Sequence, residues 1–200
     1  LNFEGGWDKA KVQMLDSVVQ SMYSGDQNSR QGAHDLLTQL KAAPEAWRIV
    51  DTVLASSESP DTKFFCLNIL ENVIQQRWKV LSEEHRNGIR AYVVMLINRL
   101  ASDEETAKSQ KHFLTKLNET LICIVKQEWP HSWANFIPEI CAASQNNQSM
   151  CENTMRILNL LSEEVFDFGK NSMTTKKVMQ LKQSLNQHFK TIFELCWFIF

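Results

Sequence analysis

Residues 126–140 read Lys-Gln-Glu-Trp-Pro-His-Ser-Trp-Ala-Asn-Phe-Ile-Pro-Glu-Ile, two tryptophans flanking a proline with an apolar period resuming at once. Leu114, Leu117, Leu121, Ile124 and Val125 run at helical spacing into Trp129. Pro130 lacks an amide donor and disfavours the α conformation at the residue before it, so a helix stops near Glu128. Trp133, Phe136, Ile137 and Ile140 restore the period, which predicts a second helix folded back on the first, the indole rings filling the corner. Pro138 fits either the first turn of that helix or a kink inside it.

The same signature occurs earlier. Pro44, Trp47, Val50 and Val53 match Pro130, Trp133, Phe136 and a position beside Ile140, 86 residues on. Half that step, 43 residues, lands on Asn87, Arg90, Val93 and Leu96, which keeps the two apolar positions and loses the proline and tryptophan. A second series interleaves: Leu67, Leu70, Val73 and Ile74, then Leu114, Leu117 and Leu121, then Met155, Leu158 and Leu161. Advances of roughly 40 to 47 residues are the period of paired-helix solenoids of the HEAT and armadillo kind. The expected fold is therefore all-α, a right-handed α-solenoid of HEAT repeats built from antiparallel helix hairpins.

Composition agrees. The 200 residues are 44% hydrophobic and 22% charged, with Gly 6 and Pro 4, and β-branched residues rarely alternate with polar ones, which leaves sheet without support. About nine helices are expected, at 8–23, 29–42, 44–55, 61–77, 82–100, 104–128, 133–143, 150–167 and from 174 onward. Ser82, followed by Glu83 and Glu84, reads as an N-cap with acids in the first turn.

The net charge of −2 comes from interspersed opposite charges, with no basic run dense enough to track phosphates, so nucleic acid is not an expected partner. No apolar stretch approaches the ~20 residues that span a bilayer, and none reads as a signal peptide. The expected location is cytosolic or nuclear. Cys66, Cys123, Cys141, Cys151 and Cys196 are widely spaced in apolar faces and read as buried reduced thiols. Trp197, Phe198, Ile199 and Phe200 form an apolar end that suggests a piece of a longer solenoid, stopping where another helix would cover it.

Catalytic patterns are missing. His34, His85, His112, His131 and His188 are scattered, there is no HExxH, paired cysteine or glycine-rich phosphate cradle, and Gly5 with Gly6 is the only glycine pair. Glu163, Glu164 and Asp167 read as the acidic end of a packed helix. No cofactor and no enzymatic activity are expected.

Binding is what remains, because stacked hairpins present a concave surface from one helix series. On its second helix Lys63, Phe64, Asn68, Glu71, Asn72 and Gln75 fall away from Leu67, Leu70 and Ile74. On its third, Lys108, Lys111, His112, Lys116 and Glu119 do likewise. These residues form the candidate binding surface.

Three segments carry a family resemblance: residues 62–81, TKFFCLNILENVIQQRWKVL; residues 125–133, VKQEWPHSW; and residues 151–168, CENTMRILNLLSEEVFDF. Together they resemble the amino-terminal part of the exportins, nuclear export receptors of the importin-β superfamily. The family's corner usually reads Trp-Pro-x-x-Trp-Pro, whereas here Ala134 follows Trp133. The resemblance implies that residues 1–200 are the amino-terminal HEAT-repeat region, the importin-β-like N-terminal domain, of a longer solenoid that shuttles between nucleus and cytoplasm. It further implies that the inner helices of the first repeats grip the small GTPase Ran in its GTP form. Cargo carrying a leucine-rich export signal would bind in later repeats outside this chain, and nucleoporins would contact the full receptor. A generic HEAT scaffold for another protein is the alternative reading.

Overall fold

The computed structural model describes residues 6–145, 147–166 and 173–199, the last four of these by their backbone alone. Trp197 and Phe198, whose side chains the apolar-end reading concerns, and Phe200 therefore lie outside what is described. Every regular element among the described residues is helical, and the chain divides into two units, Leu1–Ser82 and Glu83–Phe200.

In the first unit α1 (Lys9–Ser24) begins where the Asp8 carboxylate accepts from the Lys11 amide at 2.9 Å, and it buries Val12, Leu15 and Val19. It ends at Gly25, whose N–H donates to the Ser21 carbonyl; a Cβ there would sit 2.5 Å from that oxygen, so no side chain fits without moving the turn. Asp26 then caps α2 (Gln27–Ala42) through the Ser29 amide at 2.8 Å, and the two helices pack as a hairpin. The helix expected from Pro44 opens instead as a 3₁₀ turn, Ala46–Ile49, and becomes α3 (Val50–Ser56) only afterwards. Ala43, ahead of the proline, is extended, and the turn closes through i→i+3 bonds from Ala46 to Ala43 and from Arg48 to Glu45.

α4 (Pro60–Arg77) has Ser59 as its cap and Pro60 at its first position, where the missing donor is harmless. It buries Thr62, Cys66, Leu67, Ile69, Leu70, Val73 and Ile74, a wide arc satisfied by packing on both α3 and α1. The Ser57 hydroxyl donates to Asp16 at 2.6 Å, fastening the α3–α4 turn to α1. Trp78 closes the unit in a short 3₁₀ turn, Trp78–Val80, with its ring buried.

In the second unit α5 (Glu83–Ala101) starts after Ser82 as expected. The single helix expected over 104–128 is two, α6 (Glu104–Ser109) and α7 (Lys111–Glu128), broken at Gln110. α6 gives only Ala107 to the core, so no continuous apolar stripe enforces one rod. The Ser109 hydroxyl also donates to the Thr106 carbonyl at 3.2 Å, competing with the helical ladder at the break. α8 (Phe136–Ser144) and α9 (Gln148–Phe166) form the next hairpin. The final expected helix also divides, into α10 (Thr175–Gln187) and α11 (Phe189–Ile199), with His188 between them.

α7 stops at Glu128, and Trp129 turns extended ahead of a cis Trp129–Pro130 bond. Trp129 and Phe136 are fully buried, their rings 6.5 Å apart edge to face, with Trp133 at 4.9 Å from Phe136. The rings do fill the corner. The helix beyond it does not fold onto α7, however; α8 begins three residues after Trp133 and packs chiefly on α9 and α11, while α7 packs on α5 and α9. Pro138 is the third residue of α8, so it sits in the first turn and needs no donor.

Candidate protein-interaction surface

The predicted surface residues fall in both units. On α4, Lys63, Phe64, Asn68, Glu71 and Asn72 are half-buried and Gln75 is exposed. Phe64, Asn68, Glu71 and Gln75 follow a three- and four-residue spacing, so they make one stripe along the helix. That stripe lies beside the arc α4 commits to its own unit, and it pairs one aromatic ring with amides and a carboxylate.

The second set is less uniform than the sequence implies. Lys108 stands on α6, apart from the others, and is ion-paired with Glu104; that pairing raises its pKa, with a smaller contribution from Glu152. Lys111 and His112 open α7 and are both exposed. Two cationic or basic side chains at a helix N-terminus oppose the helix dipole, so an anionic partner there would relieve an existing mismatch. Lys116 is only 15% exposed along its side chain and pairs with exposed Glu119 at 3.6 Å. Lys111, Thr115 and Glu119 are all exposed at four-residue spacing, which adds Thr115 to the stripe.

What fixes the rotation of α7, and so which side chains it presents, is a buried pair that periodicity did not single out. Asn118 donates to Asn153 of α9 at 2.8 Å and accepts back from it at 3.3 Å, both residues being buried. Rotating α7 by one residue would leave two amides unsatisfied in the core. Lys126 adds a partly buried ion pair to Glu164 of α9 at 2.6 Å. Glu163 accepts from Asn159 at 2.8 Å, so the acidic helix end is held by structural partners; Asp167 lies outside the described residues.

The corner carries a third set. Arg90 of α5 pairs with buried Glu128 at 2.8 Å and lies 5.0 Å over the Trp133 ring, whose Nε1 donates to Glu139 at 2.8 Å. Lys177 of α10 donates to the Trp129 carbonyl at 2.6 Å, satisfying an acceptor that the helix end left open.

Cys66, Cys141 and Cys151 are buried and Cys123 is half-buried, none of them in a disulfide, and the Cys196 side chain lies outside the described residues. Burial, helped by the charge of Asp16, pushes the Cys66 thiol up to about 12, which makes it an inert core group. Among the described residues no group of three or more His, Cys, Asp or Glu side chains could hold a metal, and no helix is long and apolar enough to cross a membrane.

Consecutive helices packed in pairs, α1 on α2, α3 on α4 and α8 on α9, describe a helical-repeat architecture. Residues 33–99 match the family described as importin-beta N-terminal domain, and residues 110–200 match exportin 1-like protein. Exportin-1 of Schizosaccharomyces pombe is 48% identical over 185 residues, 92% of this chain and 17% of that protein. Exportin-1 of Drosophila melanogaster is 44% identical over 191 residues, 96% of this chain and 18% of that protein. Exportin-1 of Dictyostelium discoideum is 41% identical over 201 residues, 100% of this chain and 19% of that protein. The chain belongs to the exportin family, with the HEAT-repeat α-solenoid as its fold class. It spans less than a fifth of the length of these relatives.

Proposed function

We propose that this chain is the part of a nuclear export receptor that grips Ran in its GTP form, through the stripe on α4 and the opening of α7. The observation that carries this reading is similarity along nearly the whole chain to exportin-1 proteins, with the importin-beta N-terminal domain match enclosing all of α4. A GTPase orders its switch segments through the γ-phosphate and Mg²⁺ and releases them on hydrolysis. A rigid hairpin face that contacts those segments therefore separates the two nucleotide states without touching the nucleotide. In the full receptor, Ran and a leucine-rich export signal would bind cooperatively and hydrolysis in the cytoplasm would release both. The cargo groove and the nucleoporin contacts belong to parts of the receptor outside this chain, which shuttles between nucleus and cytoplasm as part of it.

The test is binding to Ran loaded with a non-hydrolysable GTP analogue or with GDP, measured by calorimetry at two salt concentrations. The GTP form should bind more tightly, with affinity falling as salt rises. Replacing Lys111 by Glu should weaken binding about fivefold, or about 1 kcal/mol, with an unchanged melting temperature because it is exposed. Lys116 is a poorer probe, since its reversal would bury a carboxylate beside Glu119. Equal affinity for the two nucleotide states removes Ran from the reading and leaves a generic HEAT scaffold. A leucine-rich export peptide should show no saturable binding here even with Ran present.

A further inference from the structure

Two turns of the second unit are tied together by one side chain. Asn147, ahead of α9, accepts from the Met150 amide at 2.8 Å and donates through Nδ2 to the Ser102 carbonyl at 3.1 Å. Ser102 occupies the turn between α5 and α6, and its hydroxyl donates back to the Asn98 carbonyl in the last turn of α5. Ser102, Asp103, Glu104 and Glu105 are all exposed.

We propose that Ser102 is a phosphoacceptor for an acidophilic serine/threonine kinase, and that its phosphorylation loosens the α5–α6 turn from Asn147. Kinases of this class read carboxylates just after the acceptor through a basic groove, and Ser102 is followed by three in succession. No other serine in the chain is. Ser82 is followed by Glu83, Glu84 and then His85, and Ser162 by Glu163, Glu164 and then Val165, which is buried within α9. Two hydrogen bonds from Thr106 hold the Asp103 carboxyl below its usual range, so that carboxylate stays charged near neutrality. In the transfer, Ser102 Oγ attacks the γ-phosphorus of magnesium ATP. The Oγ–P bond forms as the bridging P–O bond to ADP breaks, and the hydroxyl proton passes to the kinase's catalytic carboxylate.

The product charge is opposed by the end of α5 and by its neighbours in sequence. A phosphoserine carries nearly two negative charges, here one residue past the carbonyl end of α5 and against three carboxylates, with Arg99 the one cation in that helix's last turn. The hydroxyl donor to Asn98 is lost at the same time. Displacing this turn withdraws the Ser102 carbonyl from Asn147, which also caps the start of α9.

Incubating the folded chain with casein kinase II and magnesium ATP should add one phosphoryl group, located on Ser102 by fragment mass. Ser102→Ala should abolish incorporation, and Glu105→Gln should slow it several-fold. The phosphorylated chain should melt about 2 to 4 °C lower, and in an Asn147→Ala background, where the tie is already gone, that drop should shrink. No incorporation on the folded chain, or incorporation that survives Ser102→Ala, overturns the acceptor assignment. An unchanged melting temperature, or an equal drop in the Asn147→Ala background, overturns the loosening.

Discussion

The turn at Pro44–Trp47 and the corner at Pro130–Trp133 share one sequence signature and differ in what it builds. Trp47 is half-buried, beneath the guanidinium of its neighbour Arg48 at 5.4 Å, and Arg48 and Glu45 form an exposed ion pair. Trp133 is 9% exposed, stacked by Arg90 from another helix, bonded to Glu139 and edge to face with Phe136. The spacing of proline and tryptophan specifies a turn and a helix start in both places. Depth of burial comes from elsewhere: the residue before the proline is Ala43 in one copy and fully buried Trp129 in the other.

That contrast is breakable by truncation. Trp129→Ala should cost about 3 to 5 kcal/mol in urea denaturation, and Trp133→Ala about 3, because each empties a packed corner. A loss under about 1 kcal/mol for Trp129 would mean the corner collapses without penalty. Next in size is Arg90→Met, which strands the Glu128 carboxylate at 5% exposure. Removing one partner of a buried pair costs several kcal/mol; Arg90 keeps a quarter of its side chain exposed, so about 2 kcal/mol is expected. Adding Glu128→Gln to that variant should recover part of the loss, and strictly additive losses would show that the two do not interact. Trp47→Ala should cost only about 1 to 1.5 kcal/mol, the share expected of a half-buried ring. Equality with Trp129→Ala would erase the distinction between the two copies.

Local chemistry made much of the fold legible. Asp8, Ser59 with Pro60, and the Trp129–Pro130 break set helix ends that a short window of sequence contains. The breaks at Gln110 and His188 carry no proline or glycine, and they follow from which side chains the neighbouring helices bury. The side of α4 opposite its apolar arc is legible in the spacing, but how deep it sits is not: of the six residues named there only Gln75 is exposed. Lys116, placed by its spacing on the polar side of α7, keeps only 15% of its side chain exposed, since a lysine can lay its aliphatic stem along the core while its amine reaches Glu119. Asn118 was invisible in the same way: a lone amide among leucines gains meaning only when Asn153 stands opposite it.

The smallest expected effect belongs to Pro138, the second proline of the corner, which has no counterpart in the first copy. Sequence alone allowed Pro138 to start α8 or to kink it, and these readings differ in energy. A proline inside a helix removes a hydrogen bond and clashes with the preceding turn, at ~3 kcal/mol or more, so its replacement by alanine would stabilise the chain by a similar amount. At the third helical position the amide has no partner within the helix in any case, and the exposed ring contributes little packing. Pro138→Ala should therefore change stability by less than about 0.5 kcal/mol in either direction. The measurement is the same urea titration used for the tryptophan variants. A stabilisation of about 2 kcal/mol or more would show that Pro138 strains α8 from within, and part of the corner's burial would then be offset by a defect the first copy does not carry.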